Sequence, residues 1–199
     1  MVAKWDNLQE IEPKSFVCGY CGTKVSSDRG YRGVKQVTRN HRPDSQPIFI
    51  YICSGCKQPV YFDEHFVQHP SSIYGENIEN IPKEEIKILY NEARHCSSCG
   101  AFSAAVMCCR KLLMHIAVDK GAPENKKFIE YIDYLVDNHY IHDESKEWVD
   151  LIRLIGNDAN HEIKIMTEKD AKLLIDFISM ILKILFDYPA RAKQHLNKP

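Results

Sequence analysis

Two pairs of cysteines with the same spacing constrain the fold of this chain more than any other feature of its sequence. In each pair two residues separate the cysteines and glycine lies beside at least one of them, and the four residues are Cys18, Cys21, Cys53 and Cys56. A turn of this kind presents two thiolates, and two such turns complete a tetrahedral metal site that has no open position. The pattern therefore predicts a zinc ribbon that holds one structural Zn²⁺ ion.

Other interpretations of these cysteines are four unrelated buried thiols or a redox dithiol, but neither pair lies at a strand-to-helix junction, where such dithiols occur. His65 and His69 follow in an H-x3-H spacing and are alternative ligands, or the start of a second site. Four thiolates already close the site, so we expect neither histidine to be needed. A ribbon has too small a core to fold alone, and zinc contributes roughly 10–16 kcal/mol in comparable peptides.

The amino-acid composition limits the class of protein to which this chain can belong. The 199 residues are 44% hydrophobic and 27% charged, which is typical of a globular protein. A formal charge of −1 gives no overall attraction to nucleic acid or anionic membranes. The first residues lack a secretory signal and no stretch is apolar enough for a bilayer, so we expect a cytoplasmic protein without membrane contact. In that reducing compartment the other four cysteines are predicted to be buried or partly buried thiols.

The chain divides into three zones. Residues 1–62 are rich in turn, β-branched and aromatic residues and are predicted to form the zinc ribbon. Residues 63–81 show no apolar periodicity and are interpreted as a linker. Residues 82–199 are predicted to be all-helical, with a bundle of about five helices.

Within the ribbon the β-branched and aromatic runs predict strands at residues 33–38, 48–52 and 59–62. Residues 39–47 are polar and contain two prolines, which favours a loop. In the helical zone, apolar residues at three- and four-residue spacing predict helices at about 82–98, 102–118, 126–138, 143–156 and 167–187.

The last of these helices is apolar on nearly every side and should end before Pro189. A helix with this composition is either central to its bundle or shared with a partner subunit. We therefore expect a homodimer formed through the helical domain.

A basic stretch at residues 22–42 contains a single acidic residue, Asp28, and six basic ones: Lys24, Arg29, Arg32, Lys35, Arg39 and Arg42. Tyr20 and Tyr31 are interleaved with them. Lysine and arginine release counterions from phosphates, and aromatic rings stack on bases. The stretch predicts contact with nucleic acid, although such charges can also protect an exposed sheet edge from aggregation.

The helical zone also carries a set of motifs in a recognisable order. They are Ile81-Pro82, Leu89-Tyr90-Asn-Glu92-Ala93, Ala101-Phe-Ser-Ala104-Ala105-Val-Met-Cys-Cys-Arg110, Arg153-Leu-Ile-Gly156-Asn157-Asp-Ala159-Asn-His161 and Asp170-Ala171. The pattern resembles a family of bacterial domains of unknown function that occurs alone, behind zinc ribbons and in restriction-type proteins. That family is similar to the HEPN superfamily, and the resemblance covers residues 81–189.

The resemblance implies a HEPN-like helical bundle that commonly dimerises. Active HEPN domains resemble metal-independent ribonucleases, in which an arginine and a histidine four to six residues further on act on the scissile phosphate. Here seven residues separate Arg153 from His161, so on a continuous helix their α-carbons would be about 12 Å apart and rotated by about 80°. A shared phosphate would require a bend near Asn157, a second subunit, or the approach of Arg110.

Three interpretations of these residues stay open: a hydrogen-bonded network joining the helices, a ribonuclease site and a ligand or nucleotide pocket. The favoured function is a zinc-binding, dimeric, HEPN-like protein that binds nucleic acid or a partner protein, with bacterial defence as the setting that the resemblance implies. The rival hypothesis is an endoribonuclease with His161 as acid/base and Arg153 or Arg110 as phosphate clamp. A structural adaptor without nucleic-acid binding is the third.

Overall fold

The computed structural model describes residues 4–39, 42–142, 145, 148–152 and 165–196, and it describes only the backbone of residues 37–39 and 42–44. The chain forms two compact units, residues 1–73 and residues 74–199. The first is an antiparallel sheet and the second is helical, which confirms the predicted order of a small β unit followed by an all-α unit. The stretch interpreted as a linker, residues 63–81, is divided between these two units.

The sheet contains five strands, each hydrogen-bonded to the next along the chain. They are β1 (Gln9–Val17), β2 (Lys24–Arg39), β3 (Arg42–Ile52), β4 (Pro59–Phe62) and β5 (Gln68–His69). β1 was not predicted, because its sequence contains a proline and four charged or amide side chains. Its pairing with β2 shifts in register between Glu10 and Lys14, and such a bulge accommodates the intervening Pro13.

The loop predicted for residues 39–47 was wrong beyond its first residues, because β3 already begins at Arg42. Pro43 pairs with Thr38, and Pro47 pairs with Val34. β4 pairs with β3 only from residue 49 onwards, so both prolines lie where β3 has a hydrogen-bonded neighbour on one side. A strand tolerates proline at such a position because no second ladder needs its missing N–H.

The core of the sheet unit is small. It consists of eight buried residues, of which two are cysteines and four are aromatic: Phe16, Cys18, Val25, Phe49, Tyr51, Cys53, Val60 and Phe62. The rings of Phe16, Tyr51 and Phe62 form a mutually contacting trio, with centroids 5.5–6.0 Å apart. A core of this size is marginal for independent folding, so the sheet unit needs a further source of stability.

The helical unit contains α1 (Glu84–Ser98), α2 (Phe102–Asp119), α3 (Phe128–Asp137), α4 (described at residues 148–152), α5 (Glu168–Leu182) and α6 (Tyr188–Leu196). A π-helical turn, Lys183–Asp187, joins α5 to α6. The predicted end before Pro189 was therefore wrong. The wider π turn precedes the proline and gives its ring space that a regular α-helix would not provide.

Most apolar residues of α5 lie in the core of their own unit. Leu174, Phe177, Ile178, Ile181 and Leu182 are at most 1% exposed. Of the two positions that the sequence allowed for this helix, the interior one therefore accounts for most of its apolar surface. Within the ranges that the structure describes, no helix has both the length and the apolar character needed to cross a membrane.

The segment 74–81 is held against the helices by buried polar contacts. Arg94, which is 7% exposed, donates from its guanidinium to the carbonyl oxygens of Tyr74 (3.0 Å) and Gly75 (2.9 Å). The hydroxyl of Tyr90 donates to the carbonyl of Glu76 at 2.9 Å. These bonds satisfy backbone groups of a stretch without regular secondary structure.

Candidate metal centre and basic surface

The structure brings the four predicted cysteines together at one end of the sheet. Their sulfur atoms all lie within 4.8 Å of one another. The closest pairs join different turns: Cys18 and Cys56 are 3.7 Å apart, and Cys21 and Cys53 are 3.8 Å apart. A tetrahedral ion with metal–sulfur bonds of about 2.3 Å would hold its sulfurs about 3.8 Å apart, so this set can hold one metal ion.

The two cysteine turns, which we call the knuckles (residues 18–23 and 53–58), have the same backbone geometry. The first N–H of each donates to a carbonyl five residues later, from Cys18 to Thr23 and from Cys53 to Gln58, both at 3.0 Å. The fifth residue of each donates back to the first, at 2.9 Å in both cases. Two turns with one geometry present their thiols in the same way, which suits a symmetric tetrahedral site.

The fifth residue of each knuckle adopts a left-handed conformation. In the first knuckle it is Gly22, with φ of 70°, and in the second it is Lys57, with φ of 62°. Glycine adopts this conformation without steric cost, whereas a residue with a Cβ atom does so only where the surrounding contacts impose it. The backbone of Lys57 is therefore strained, and the sequence of the second knuckle does not indicate this.

Trp5 supports the second knuckle from a distant part of the chain. Its indole Nε1 donates to the carbonyl oxygen of Lys57 at 2.7 Å. No sequence motif surrounds Trp5, so nothing in the sequence indicates this role. Only the fold brings it to the knuckle.

The thiols of the site differ in acidity. Burial raises the pKa of Cys18 to about 12, and burial also raises the pKa of Cys56. Burial opposes ionisation of Cys21 as well, but hydrogen bonds with the side chain and backbone of Thr23 lower the pKa of Cys21 to about 7. A thiolate is the metal-binding form, so a bound cation must displace protons from Cys18 and Cys56 at neutral pH.

The two histidines considered as ligands lie outside the cysteine cluster. His69 Nε2 is 2.9 Å from Asp63 Oδ2, and the His69 ring packs against Tyr61 at 5.8 Å. His65 is exposed, and its backbone N–H donates to Asp63 Oδ1. Among the residues that the structure describes, the four cysteines are the only group of three or more potential ligands close enough to share an ion.

The other cysteines belong to the helical unit. Cys109 is fully buried, Cys96 and Cys108 are half-buried, and Cys99 is exposed. Burial raises the pKa of Cys96 and raises that of Cys108 to about 11, which favours the neutral thiol. The three buried or half-buried cysteines therefore have the properties of unreactive packing residues, whereas Cys99 is exposed.

The basic residues Lys24, Arg29, Arg32 and Lys35 of β2 are exposed, but they do not form one continuous patch. No described residue forms an ion pair with the side chains of Lys24, Arg29 or Arg32. Lys35 is bound to Glu64 at 2.5 Å, and this hydrogen bond raises the pKa of Lys35. Because the two faces of a strand alternate, Arg32 and Lys35 lie on opposite faces of the sheet.

The other members of the predicted basic set and its aromatic neighbours differ in availability. The side chains of Arg39 and Arg42 lie outside the described residues, although their backbones pair with each other. Tyr20 is exposed, whereas the hydroxyl of Tyr31 donates to the carbonyl of Asp6 at 2.5 Å.

Of the residues considered for catalysis, Arg153, Asn157 and His161 lie outside the described residues. Arg110 is 6% exposed, and its guanidinium lies 4.6 Å from the centre of the Phe128 ring. Burial lowers the pKa of Arg110. Stacking on an aromatic ring inside the unit is a packing role for this side chain.

Comparisons with known proteins bear on the helical unit. No curated protein and no solved structure matches the chain significantly. The family model described as a domain of unknown function, DUF4145, matches residues 91–198, which is more than half of the 199-residue chain. The match includes α2 to α6 and most of α1, and the cysteine knuckles lie outside it. The chain therefore belongs to the DUF4145 family.

Proposed function

We propose that the four cysteines hold one structural Zn²⁺ ion and that the sheet stabilised by this ion binds nucleic acid. Four thiolates in a closed tetrahedron are typical of structural zinc sites and leave no position for a substrate. The sulfur separations of 3.7 and 3.8 Å support this assignment, as does the repeated hydrogen-bond pattern of the knuckles. The helical unit has its own core, so we expect it to fold without the metal.

Elemental analysis tests the metal. Protein that has been stripped of loosely held ions should contain about one equivalent of zinc per chain, and the Cys53→Ser variant should contain much less. Iron in place of zinc would contradict the identity of the ion, because iron also accepts four thiolates. Less than about half an equivalent of any metal would contradict the site itself.

The observation that carries the nucleic-acid proposal is the set of exposed cations along β2 that no described carboxylate neutralises. Lys24, Arg29 and Arg32 are distributed over the first half of this strand, and the exposed Tyr20 lies in the adjacent knuckle. Exposed cations with aromatic neighbours can bind phosphates without reading the base sequence. The near-neutral net charge of the chain makes this local concentration of positive charge distinctive.

Fluorescence anisotropy with a labelled single-stranded oligonucleotide tests the proposal. The double variant Lys24→Ser, Arg32→Ser should bind at least about tenfold more weakly in low salt, and the slope of log affinity against log salt should fall by about 1.4. The matched control is Lys111→Ser, Lys193→Ser, which removes two exposed charges from the helical unit. Equal affinity of the two double variants, or no salt-dependent binding by the parent, would refute the proposal and leave the structural adaptor.

We extend the proposal to a homodimer of HEPN-like helical units, in the defence setting that the resemblance implies. Two apolar side chains at the junction of α5 and α6 are exposed, while most of their apolar neighbours are buried. They are Ile184 in the π-helical turn, which is 49% exposed, and Tyr188 at the first position of α6, which is 54% exposed. Light scattering should therefore give twice the chain mass for the parent. The variant Ile184→Ser, Tyr188→Ser should be a monomer, whereas Ile88→Ser, at a similarly exposed position, should stay dimeric.

A further inference from the structure

A cavity of about 350 Å³ lies beside the second knuckle, within the sheet unit. The N-terminal segment, the first half of β2 and the knuckle itself contribute its walls. The buried or half-buried members of its lining are mostly apolar: Trp5, Leu8, Ile52 and the thiol of Cys53. Ser27 is buried and polar, and its hydroxyl donates to the carbonyl of Ile52 at 2.8 Å. Its charged members are exposed, with three cations (Lys4, Arg29 and Lys57) and one carboxylate, that of Asp28.

Trp5 gives this cavity a pre-ordered aromatic surface. Its Nε1–H is bound to the carbonyl of Lys57 at 2.7 Å, which fixes the position of the indole ring. The ring is only half-buried, although the sheet unit buries its other large aromatic core residues almost completely. A fixed, partly open indole is a stacking surface for a flat heterocycle, and such stacking is sequence-tolerant because every base has a π-face.

The size and charge of the cavity restrict its ligand further. Small-molecule sites in proteins have volumes of about 300–1,000 Å³, so this cavity lies at the lower end and suits one compact molecule or one unit of a polymer. Three cations against one carboxylate favour an anionic group at the rim. A flat aromatic body joined to an anion is the chemistry of a nucleotide.

We propose that this cavity binds one nucleotide, with the base against Trp5 and the phosphate among Lys4, Arg29 and Lys57. The nucleotide is either free or one unit of a single strand, and the second source rests on the proposed nucleic-acid function. A base inside a duplex would first have to be flipped out of its stack, so single strands bind more tightly than duplexes. Arg29 belongs both to the cavity and to the set of exposed cations on β2.

The presence of only two tryptophans allows a direct test. In the metal-loaded full chain, Trp148→Phe leaves Trp5 as the sole tryptophan, and its fluorescence reports on the cavity. Titration with the four nucleoside monophosphates, a single-stranded 12-mer and the corresponding duplex should give saturable quenching, with the duplex at least about tenfold weaker than the single strand. The double variant Lys4→Ser, Lys57→Asn should weaken binding at least about tenfold, and asparagine tolerates the left-handed backbone of residue 57.

Trp5→Leu should reduce anisotropy-detected binding of the same 12-mer by about tenfold, and Trp5→Phe should retain more of it. Zinc content and thermal unfolding of each variant show whether the sheet unit is still folded. Strand binding that is unchanged in a folded Trp5→Leu variant would overturn the cavity assignment and leave the proposed function intact.

Saturable binding of a monophosphate without strand binding would support the cavity and refute the proposed function. Absence of Trp5 quenching by every nucleotide and strand would overturn the cavity assignment.

Discussion

Loss of one cysteine thiolate should unfold the sheet unit and leave the helical unit folded. The perturbation is Cys53→Ser in the full chain that also carries Trp148→Phe, so that Trp5 is the only tryptophan. The metal in such sites contributes roughly 10–16 kcal/mol, whereas the net stability of a folded domain is about 5–15 kcal/mol. The core of the sheet unit contains eight buried residues, and two of them are cysteines of the metal site. The other six bury too little apolar surface to replace the stabilisation that the metal supplies.

Urea titration followed by Trp5 fluorescence measures the effect. Trp5 is bound to the second knuckle through Lys57, so its emission reports the state of the metal site. The parent should show a cooperative transition, and Cys53→Ser should show none and emit as a solvated indole. A chelator added to the parent should reproduce the variant.

The helical unit supplies the control. In Trp5→Phe protein the remaining Trp148 packs edge-to-face on Phe177, with ring centroids 5.4 Å apart, and its transition should persist with chelator. Cys99→Ser, which removes an exposed thiol from that unit, should leave the Trp5 transition unchanged. A cooperative Trp5 transition in Cys53→Ser, with a midpoint close to that of the parent, would refute the reasoning.

The same site should bind its metal more tightly as pH rises. At pH 7 the thiols of Cys18 and Cys56 carry protons before the metal binds, and both protons must be released on binding. In the folded sheet burial raises the pKa of both thiols, and in the unfolded, metal-free sheet unit a cysteine has its ordinary pKa of about 8.5. Each released proton contributes tenfold per pH unit, so affinity should rise at least about a hundredfold per unit above pH 7. Competition with a chromophoric chelator measures this slope, and a pH-independent affinity would contradict it.

Two further predictions concern left-handed backbone positions, each with a matched partner. Lys57→Gly should raise the free energy of unfolding of the metal-bound sheet unit, measured by urea titration, by about 1 kcal/mol, because only glycine adopts this conformation without cost. Gly22→Ala at the equivalent position should lower this free energy by about 1 kcal/mol. Shifts of the same sign would contradict the equivalence of the knuckles. Gly75→Ala should destabilise the helical unit by about 1–3 kcal/mol more than Gly100→Ala. A Cβ atom at residue 75 would lie 2.7 Å from Ile175 Cγ2, whereas a Cβ atom at residue 100 would meet open space. Equal urea midpoints of the two variants, detected by Trp148 fluorescence, would show that the core relaxes around the added methyl group.

Local sequence patterns were enough to predict the four clustered cysteines and several of the helices. The CxxC spacing sets the geometry of a tight turn by itself, so the four cysteines were identified before any fold was known. The periodicity of apolar residues predicted α1, α2 and α3 to within about two residues at each end, because a helix buries one face through contacts three and four residues apart. In the structure Thr167 and Asp170 form a capping box at the predicted start of α5, which is also a local contact.

Other parts of the structure depend on contacts between residues that are distant in the sequence. β1 and the first half of β3 do not have the composition of strands and become strands only because β2 supplies hydrogen-bond partners. Residues 74–81 contain no periodic pattern, yet Arg94 binds their carbonyls and makes them part of the helical unit.

Trp5 reaches Lys57 across 52 residues of sequence, and no local pattern indicates that contact. The physical reason is that a turn or a helix satisfies its backbone within a few residues, whereas a strand, a buried arginine or a cavity wall is stable only when its partner from elsewhere in the chain is in place. The sequence by itself therefore identified the four cysteines that can hold a metal ion and most of the helices, and the tertiary structure alone determined the extent of the sheet and the cavity beside the second knuckle.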